Sequence, residues 1–481
     1  MNRRVVLYTI GQIVGVEAVV MLLPLAVSLM YGESCYSAFL ITIAVAAAVS
    51  LAALVFAKPR NHVIYAKEGF ATVALAWIIM SAIGALPFVI SGEIPSYVDA
   101  WFETVSGFTT TGSSIVTDVE ALSHGILFWR SFTHWLGGMG VLVFIMAILP
   151  SSSDRSIHIM RAEVPGPVVG KLVPKIRETA KILYLIYMAL TLIEIVFLLF
   201  GGMPLFDSVV HSLGTAGTGG FGIKGDSIGG YSNYCQWVIT VFMLLFGINF
   251  NLFYLMLIRR FKTAFKSSEL WTYFGIVAAA VIMITVNIYP IYQSLSDSIR
   301  LSAFQVASIV TTTGYATADF NTWPILSKGI LLTLMFCGAC AGSTGGGFKV
   351  SRVMLLAKSV KRELNRLIHP RSRTAVTLEG KTIDDATVNG VGCYLALYVA
   401  CLIAVFILLC FDSAFDIESN FSAAVSCFNN IGPGFGLVGP ASNFAAYSGF
   451  SKIVLSFAML LGRLELFPII ITLAPSTWIK K

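Results

Sequence analysis

Thr110-Thr111-Gly112-Ser113, Thr218-Gly219-Gly220-Phe221, Thr312-Thr313-Gly314-Tyr315 and Asn430-Ile431-Gly432-Pro433 are four short polar stretches in a long apolar background, each holding a glycine. A single stretch of this kind reads as a surface turn. Four in register, each behind a short amphipathic segment and flanked by long apolar runs, read as loops that re-enter a membrane and line one pore. The preceding segments, such as 96–109 and 206–217, are too short to cross a bilayer. They fit half-helices that enter from one side and return as loops.

Composition agrees. With 57% hydrophobic and 12% charged residues and a mean hydropathy of +0.82, the chain has too little polar surface for a soluble globule. About ten apolar runs have the length of a spanning helix. They cover roughly 5–30, 37–57, 69–91, 125–149, 179–201, 235–258, 270–292, 326–354, 390–411 and 450–474. The first follows Arg3 and Arg4 and extends to about Met30 without a small-residue cleavage site, which predicts a retained helix rather than a signal peptide.

The net charge of +7 does not point to nucleic acid, because the cations are spread between apolar runs. Lys58, Arg60 and Lys67, then Arg155 to Arg177, Arg259 to Lys266 and Lys358 to Lys381 all follow even-numbered runs. The opposite loops carry Glu33, Glu93, Asp118, Glu120, Asp207, Asp319, Asp412, Asp416 and Glu418. By the positive-inside rule both termini and the basic loops are cytoplasmic. The basic 358–389 segment suits anionic headgroups or a cytosolic partner, and the two do not exclude each other.

These features predict an all-α integral membrane protein. Two N-terminal helices over 1–62 precede pore repeats at 63–155, 156–266 and 267–357; the basic linker 358–389 then leads to a fourth repeat over 390–481. The eight cysteines lie mostly in or beside apolar segments and read as small packing residues. Cys337 and Cys340 share the spacing of a redox or zinc pair, but no second pair follows.

A dehydrated cation needs replacement oxygens, and backbone carbonyls supply them without a fixed charge that would trap the ion. Glycine permits the backbone angles that turn successive carbonyls toward one axis. Thr110, Thr111, Thr218, Thr312 and Thr313 can add hydroxyls at the loop bases. The third loop differs by one residue from the Thr-Val-Gly-Tyr core of potassium-channel filters.

Ser-Gly-Phe-Thr-Thr-Thr-Gly (106–112), Thr-Gly-Gly-Phe-Gly (218–222), Thr-Thr-Thr-Gly-Tyr (311–315), Asn-Asn-Ile-Gly-Pro-Gly-Phe-Gly (429–436) and Gly-Arg-Leu-Glu-Leu-Phe (462–467) resemble the signature stretches of the Trk/Ktr/HKT superfamily. Length and the two extra N-terminal spans make the chain most similar to the Trk-type membrane subunit. The resemblance implies a pore-forming potassium uptake protein of the inner membrane. It implies a homodimer working with a cytosolic regulatory subunit that bears nucleotide-binding domains. Potassium would be the substrate ion, with no covalent cofactor on this chain and nucleotide only on the partner.

Filter roles carry over to Thr110, Thr111 and Gly112; to Thr218, Gly219 and Gly220; to Thr312, Thr313 and Gly314; and to Asn430, Ile431 and Gly432. In the family, glycine at this position of every loop goes with potassium conduction and serine in the first with sodium preference in some plant members, so the resemblance favours potassium here. The fourth loop lacks the threonines and has Pro433 after its glycine, a departure from the others.

Inside the eighth run lies Cys340-Ala-Gly-Ser-Thr-Gly-Gly-Gly-Phe-Lys349. It is not a phosphate-binding loop, since Phe348 separates Gly347 from the lysine and no Ser or Thr follows. Three consecutive glycines break the helix. The break is either a kink for close packing or, as the resemblance implies, a gate made by Gly342, Ser343, Thr344, Gly345, Gly346, Gly347 and Lys349. Lys349 could instead snorkel to the cytoplasmic interface.

Arg463 falls midway along the last run, where a charge faces a water-filled cavity or a partner. The resemblance places it in the ion path and makes it part of the gate; a structural ion pair with another repeat is the alternative. Glu465 is a poor intrahelical partner for it. Glu17 and Glu194 read as carboxylates paired within the bundle or near an interface, and His134 as a packed, hydrogen-bonded residue. A sodium-permeable relative, a membrane-embedded enzyme built on Arg463, Glu465 and His134, and a non-conducting scaffold are the rival functions.

Overall fold

A computed structural model describes residues 1–59, 65–140, 176–370 and 375–478. Among these, all the regular structure is helical apart from one two-stranded hairpin, Thr377–Leu378 paired antiparallel with Lys381–Thr382. Arg60, the cations Arg155, Arg161, Lys171 and Lys175, and Arg371 and Arg373 lie outside the described residues.

Six helical stretches are long and apolar enough to cross a membrane: Arg3–Met30, Tyr36–Phe56, Ala66–Ser91, Glu178–Phe200, Ser268–Tyr292 and Asp385–Leu409. They match the expected runs to within a few residues. Their outward faces are apolar, as at Leu51, Val55, Ile282, Val286, Ile403 and Ile407. That arrangement is stable only where lipid, not water, is the solvent.

Between these spans sit four short helices: Tyr97–Phe108, Leu205–Gly217, Leu295–Val310 and Ile417–Asn429. Three are capped at their N-termini by a side chain: Ser96 accepts from the Asp99 N–H, Ser294 from Asp297 and Asp416 from Ser419. Each runs at its C-terminus directly into one of the glycine stretches. Their middles are almost wholly buried, so four half-helices converge on a protein-lined centre rather than on lipid.

The second helix of every repeat stops at or beside a glycine. His124–Gly138 ends at paired glycines, Asn233–Phe246 at Gly247, Ile325–Cys337 at Gly338, and Gly449–Arg463 just past Gly462. In the second and fourth repeats the chain then bends by 92° and 120° into a short further helix. A Cβ on Gly137 would strike the Phe108 carbonyl oxygen, and one on Gly462 the Phe428 carbonyl oxygen. In the first and fourth repeats the helix therefore ends against the C-terminus of its half-helix, and only glycine admits the approach.

The sequence predicts a break only in the third repeat. There the expected 326–354 run is two helices, Ile325–Cys337 and Val350–Ile368, joined by twelve non-helical residues. Arg463, expected midway along a span, instead closes its helix at the 120° bend. The cause is local: Glu465 and Leu466 are both left-handed, at φ 54° and 66°, which no continuous helix allows.

Candidate functional site: four loops around one axis

The half-helices deliver the four loops to a common centre. Alternate residues of each are left-handed: Thr110 and Gly112 at φ 55° and 81°, Thr218 and Gly220 at 54° and 79°, Thr312 and Gly314 at 59° and 87°, Asn430 and Gly432 at 56° and 105°. Alternation of left- and right-handed residues turns successive carbonyls to one side of a chain. For a β-branched threonine the left-handed region is strained, by roughly 1–3 kcal/mol per residue. Three threonines held that way, at equivalent positions, mark a conformation that the surrounding packing imposes.

The loops touch in a closed order. A Cβ on Gly112 would strike the Gly219 carbonyl oxygen, one on Gly220 that of Thr313, and one on Gly314 that of Ile431. One on Gly432 would lie 2.8 Å from the Thr111 carbonyl oxygen. Loop one thus abuts loop two, two abuts three, three abuts four, and four returns to one. All twelve residues singled out in the sequence share this ring. On one side it opens into a cavity of about 190 Å³ lined by the four glycines with Arg130, Asp118 and Lys224 among others.

Loops one and three are alike in detail. The Thr111 hydroxyl is 2.7 Å from that of Thr109, and the Thr313 hydroxyl 2.7 Å from that of Thr311. Those hydroxyls are engaged within their own loop bases. Loop two differs because His134 fills the place: its Nδ1 is 2.8 Å from the Gly107 carbonyl, its Nε2 accepts the Phe221 N–H at 3.2 Å, and a Cβ on Gly219 would collide with its ring. His134 is thus the packed, hydrogen-bonded residue expected. Loop four differs again. Asn430 donates to Thr111 at 3.0 Å and to the Met459 carbonyl at 2.9 Å, while the Gly432 carbonyl accepts the hydroxyls of Ser426 and Ser113 at 2.8 and 3.0 Å.

The non-helical residues 338–349 lie against the bases of loops three and four. A Cβ on Gly345 would sit 2.8 Å from the Thr311 carbonyl oxygen and one on Gly346 2.5 Å from that of Asn429. The segment is bonded on several sides. The Gly346 N–H donates to Thr312 Oγ1 at 2.6 Å, the Thr344 hydroxyl to the Phe246 carbonyl at 3.2 Å, and the Cys340 N–H to the Gly247 carbonyl at 3.1 Å. The Phe250 N–H in turn donates to the Gly342 carbonyl at 3.0 Å. Ser343 closes a local turn on the Cys340 carbonyl. Gly347 is left-handed and packs on Gly338.

Two cations face this segment. Lys349 is 2% exposed and its ammonium donates to the Gly345 carbonyl; the snorkelling alternative does not hold. Arg463 donates to the Thr344 carbonyl at 2.8 Å and to the carbonyls of Gly137 and Gly138 at 2.5 and 2.7 Å. It joins the last helix, the break and the end of the first repeat.

Some participants escaped the sequence reading. Glu465 pairs with Arg352 at 2.5 Å, and Arg352 also lies 4.1 Å over the Tyr394 ring. Glu103, in the first half-helix, pairs with Arg130 at 2.7 Å, and both are almost fully buried. Arg130 within an apolar run carried the same signal as Arg463. Glu17 and Glu194 are fully buried; the Thr215 hydroxyl faces the Glu194 carboxylate, and no hydrogen bond reaches the Glu17 carboxylate oxygens among the described residues. Glu194 thus has the partner within the bundle that was expected, whereas Glu17 has none among the described residues.

A family model described as TrkH, a cation transport protein, matches residues 36–274 and 265–480. The Trk system potassium uptake protein TrkH of Salmonella typhimurium is 36% identical, the match covering 99% of this chain and all of that one. TrkG of Escherichia coli, from the same kind of system, is 34% identical over 99% of this chain and 98% of its own. The crystal structure of the potassium transporter TrkH from Vibrio parahaemolyticus superposes with a TM-score of 0.88 at 32% identity, covering both chains completely. The chain belongs to the TrkH family of cation transport proteins: it is a multi-pass membrane transporter, not an enzyme.

Proposed function

We propose that this chain is the pore-forming subunit of a Trk-type potassium uptake system in the inner membrane, with both termini and the 358–389 segment in the cytoplasm. The observation that carries the reading is the closed ring of four loops with left-handed residues at alternate positions. Carbonyls of the loop residues replace the water of a potassium ion. The C-terminal ends of the four half-helices, each equivalent to about half a negative charge, favour a cation at the centre. Because the Gly432 carbonyl is taken by two hydroxyls, the fourth loop contributes least at that level.

The 338–349 segment is the gate. It lies across the bases of loops three and four, and the charges of Lys349 and Arg463 disfavour a resting cation beneath the filter. Conduction requires it to move, and the resemblance to Trk systems supports control by a cytosolic subunit with nucleotide-binding domains and a homodimeric assembly. Potassium and sodium uptake into liposomes holding the purified protein, with Gly112→Ser beside the parent, tests the filter. Potassium should be preferred and the preference reduced in the variant. Equal fluxes of the two ions would establish the sodium-permeable alternative, and an unaltered preference in Gly112→Ser would sink the filter assignment.

A further inference from the structure

The hairpin in the basic linker meets the gate segment through the start of one helix. Its turn residues Glu379 and Gly380 are left-handed, and Val376 and Leu378 are buried, so it is docked rather than loose. One carboxylate oxygen of Glu379 accepts three bonds at the N-terminus of Ser268–Tyr292: from the Ser267 hydroxyl at 3.1 Å, the Ser268 hydroxyl at 3.0 Å and the Glu269 N–H at 2.9 Å. A carboxylate there satisfies donors that the helix itself leaves unpaired.

Glu269 carries the contact onward. Its side chain is 7% exposed and accepts the Ala341 N–H, at the head of the gate segment, at 2.8 Å. The backbone of Ser351, just past the segment's end, faces the same carboxylate. On its other side the hairpin is tied to the helix that follows the gate. The Lys358 ammonium donates to the Thr377 carbonyl at 2.8 Å, and Lys358 lies on Val350–Ile368. The hairpin therefore grips both flanks of residues 338–349, one through Glu269 and one through Lys358.

We infer that the 376–383 hairpin is a clamp on the gate, with Glu379 and Glu269 as positioning residues that hold the 338–349 segment against the filter loops. A cytosolic partner that pulls the hairpin away frees both flanks together. The inference rests on the gating role proposed for that segment. It goes beyond that role by naming the element through which force enters and the two carboxylates that transmit it.

The test is potassium flux through the full-length protein in liposomes without any partner, for Glu379→Ala, Glu379→Gln, Lys358→Met and Gly346→Ala. Glu379→Ala should raise basal flux by at least roughly fivefold, the shift expected on losing one ordinary hydrogen bond, because three are removed, with the potassium-to-sodium ratio unaltered. Glu379→Gln keeps an acceptor oxygen and should restore most of the parent behaviour. If Glu379→Ala does not fold, Lys358→Met loosens the other flank and carries the same expectation. Glu269→Leu combined with Glu379→Ala should add less than the sum of the two, since both act on one path. Altered flux in Gly346→Ala with parental flux in Glu379→Ala and Lys358→Met would overturn the clamp and leave the gate standing. Parental flux in all of them would overturn the gate itself.

Discussion

The hydroxyl oxygen of Thr312 accepts the backbone N–H of Gly346 at 2.6 Å, joining the third loop directly to the glycine-rich break. The loop proposed to select and the segment proposed to obstruct are therefore adjacent rather than separate. Thr312→Val keeps the shape but leaves a buried N–H unpaired, at a cost of about 1–3 kcal/mol. Flux at fixed potassium should rise because the closed arrangement is the one weakened. Thr110→Val removes a hydroxyl that has no hydrogen-bond partner among the described residues and should cost less stability than Thr312→Val, because no partner is orphaned. Liposome flux and detergent melting curves check both, and unaltered gating in Thr312→Val would detach the two parts.

Arg463 offers three donors' worth of contact to carbonyls of two different repeats. Lysine cannot reproduce that fork, because its ammonium is one compact point on a flexible stem. Arg463→Lys should keep the charge yet raise leak flux, and Arg463→Ala should raise it further while lowering the melting temperature. Equal leak in the parent and Arg463→Lys would mean that charge alone, and not the carbonyl bonds, sets the barrier.

The four loops and the half-helices before them were legible because glycine and threonine stand out within apolar sequence, and because segments such as 96–109 are too short to span. The glycine break around Gly345 was legible for the same reason. The common end of all four second helices was not. Gly137 and Gly462 are glycines in apolar runs, which look like packing positions until the half-helix carbonyls of Phe108 and Phe428 are seen against them, and Gly247 looks the same until Tyr273 and Thr311 are seen beside it. The bend at Glu465 and Leu466 had only the weak signal of Pro468 in the first turn of the next helix, since neither residue type favours a left-handed backbone. Long-range pairs such as Arg352 with Glu465 depend on that bend and were hidden with it.

That pair is a second test of the bend. Arg352 is 6% and Glu465 21% exposed, so the attraction is weakly screened. Arg352→Met and Glu465→Gln should each destabilise the protein. The double variant should lose less than the sum, with a coupling of about 1–3 kcal/mol. Additive losses in thermal or denaturant melts would show that the bend is held by packing alone.

Outside the membrane, Asp412 accepts the Ser448 N–H at 2.8 Å and the Ser451 hydroxyl at 3.2 Å, pinning the start of the last span. The Ser448 backbone bond is the main cause holding its carboxyl below the ordinary range. A folded value below the unfolded one means that the stabilisation is fully present above about pH 4. It is lost as pH falls through the folded value. The melting temperature of Asp412→Asn should lie below the parent's at neutral pH and converge on it in acid. A constant gap across that range would show that the carboxylate charge plays no part.

Gly219 tests why the ring is only pseudo-fourfold. Loops one and three place a threonine where loop two has this glycine, and the His134 ring occupies the space its side chain would need. Gly219→Thr, which copies the other loops, forces the ring away from the Gly107 carbonyl and the Phe221 N–H; overpacking of this kind costs about 1–3 kcal/mol. Uptake should fall and melting should shift down. Adding His134→Ala makes room and should recover part of the melting temperature, though the Phe221 N–H stays unpaired and uptake should remain below the parent's. If Gly219→Thr alone melts and conducts like the parent, crowding by His134 is not what keeps glycine in the second loop.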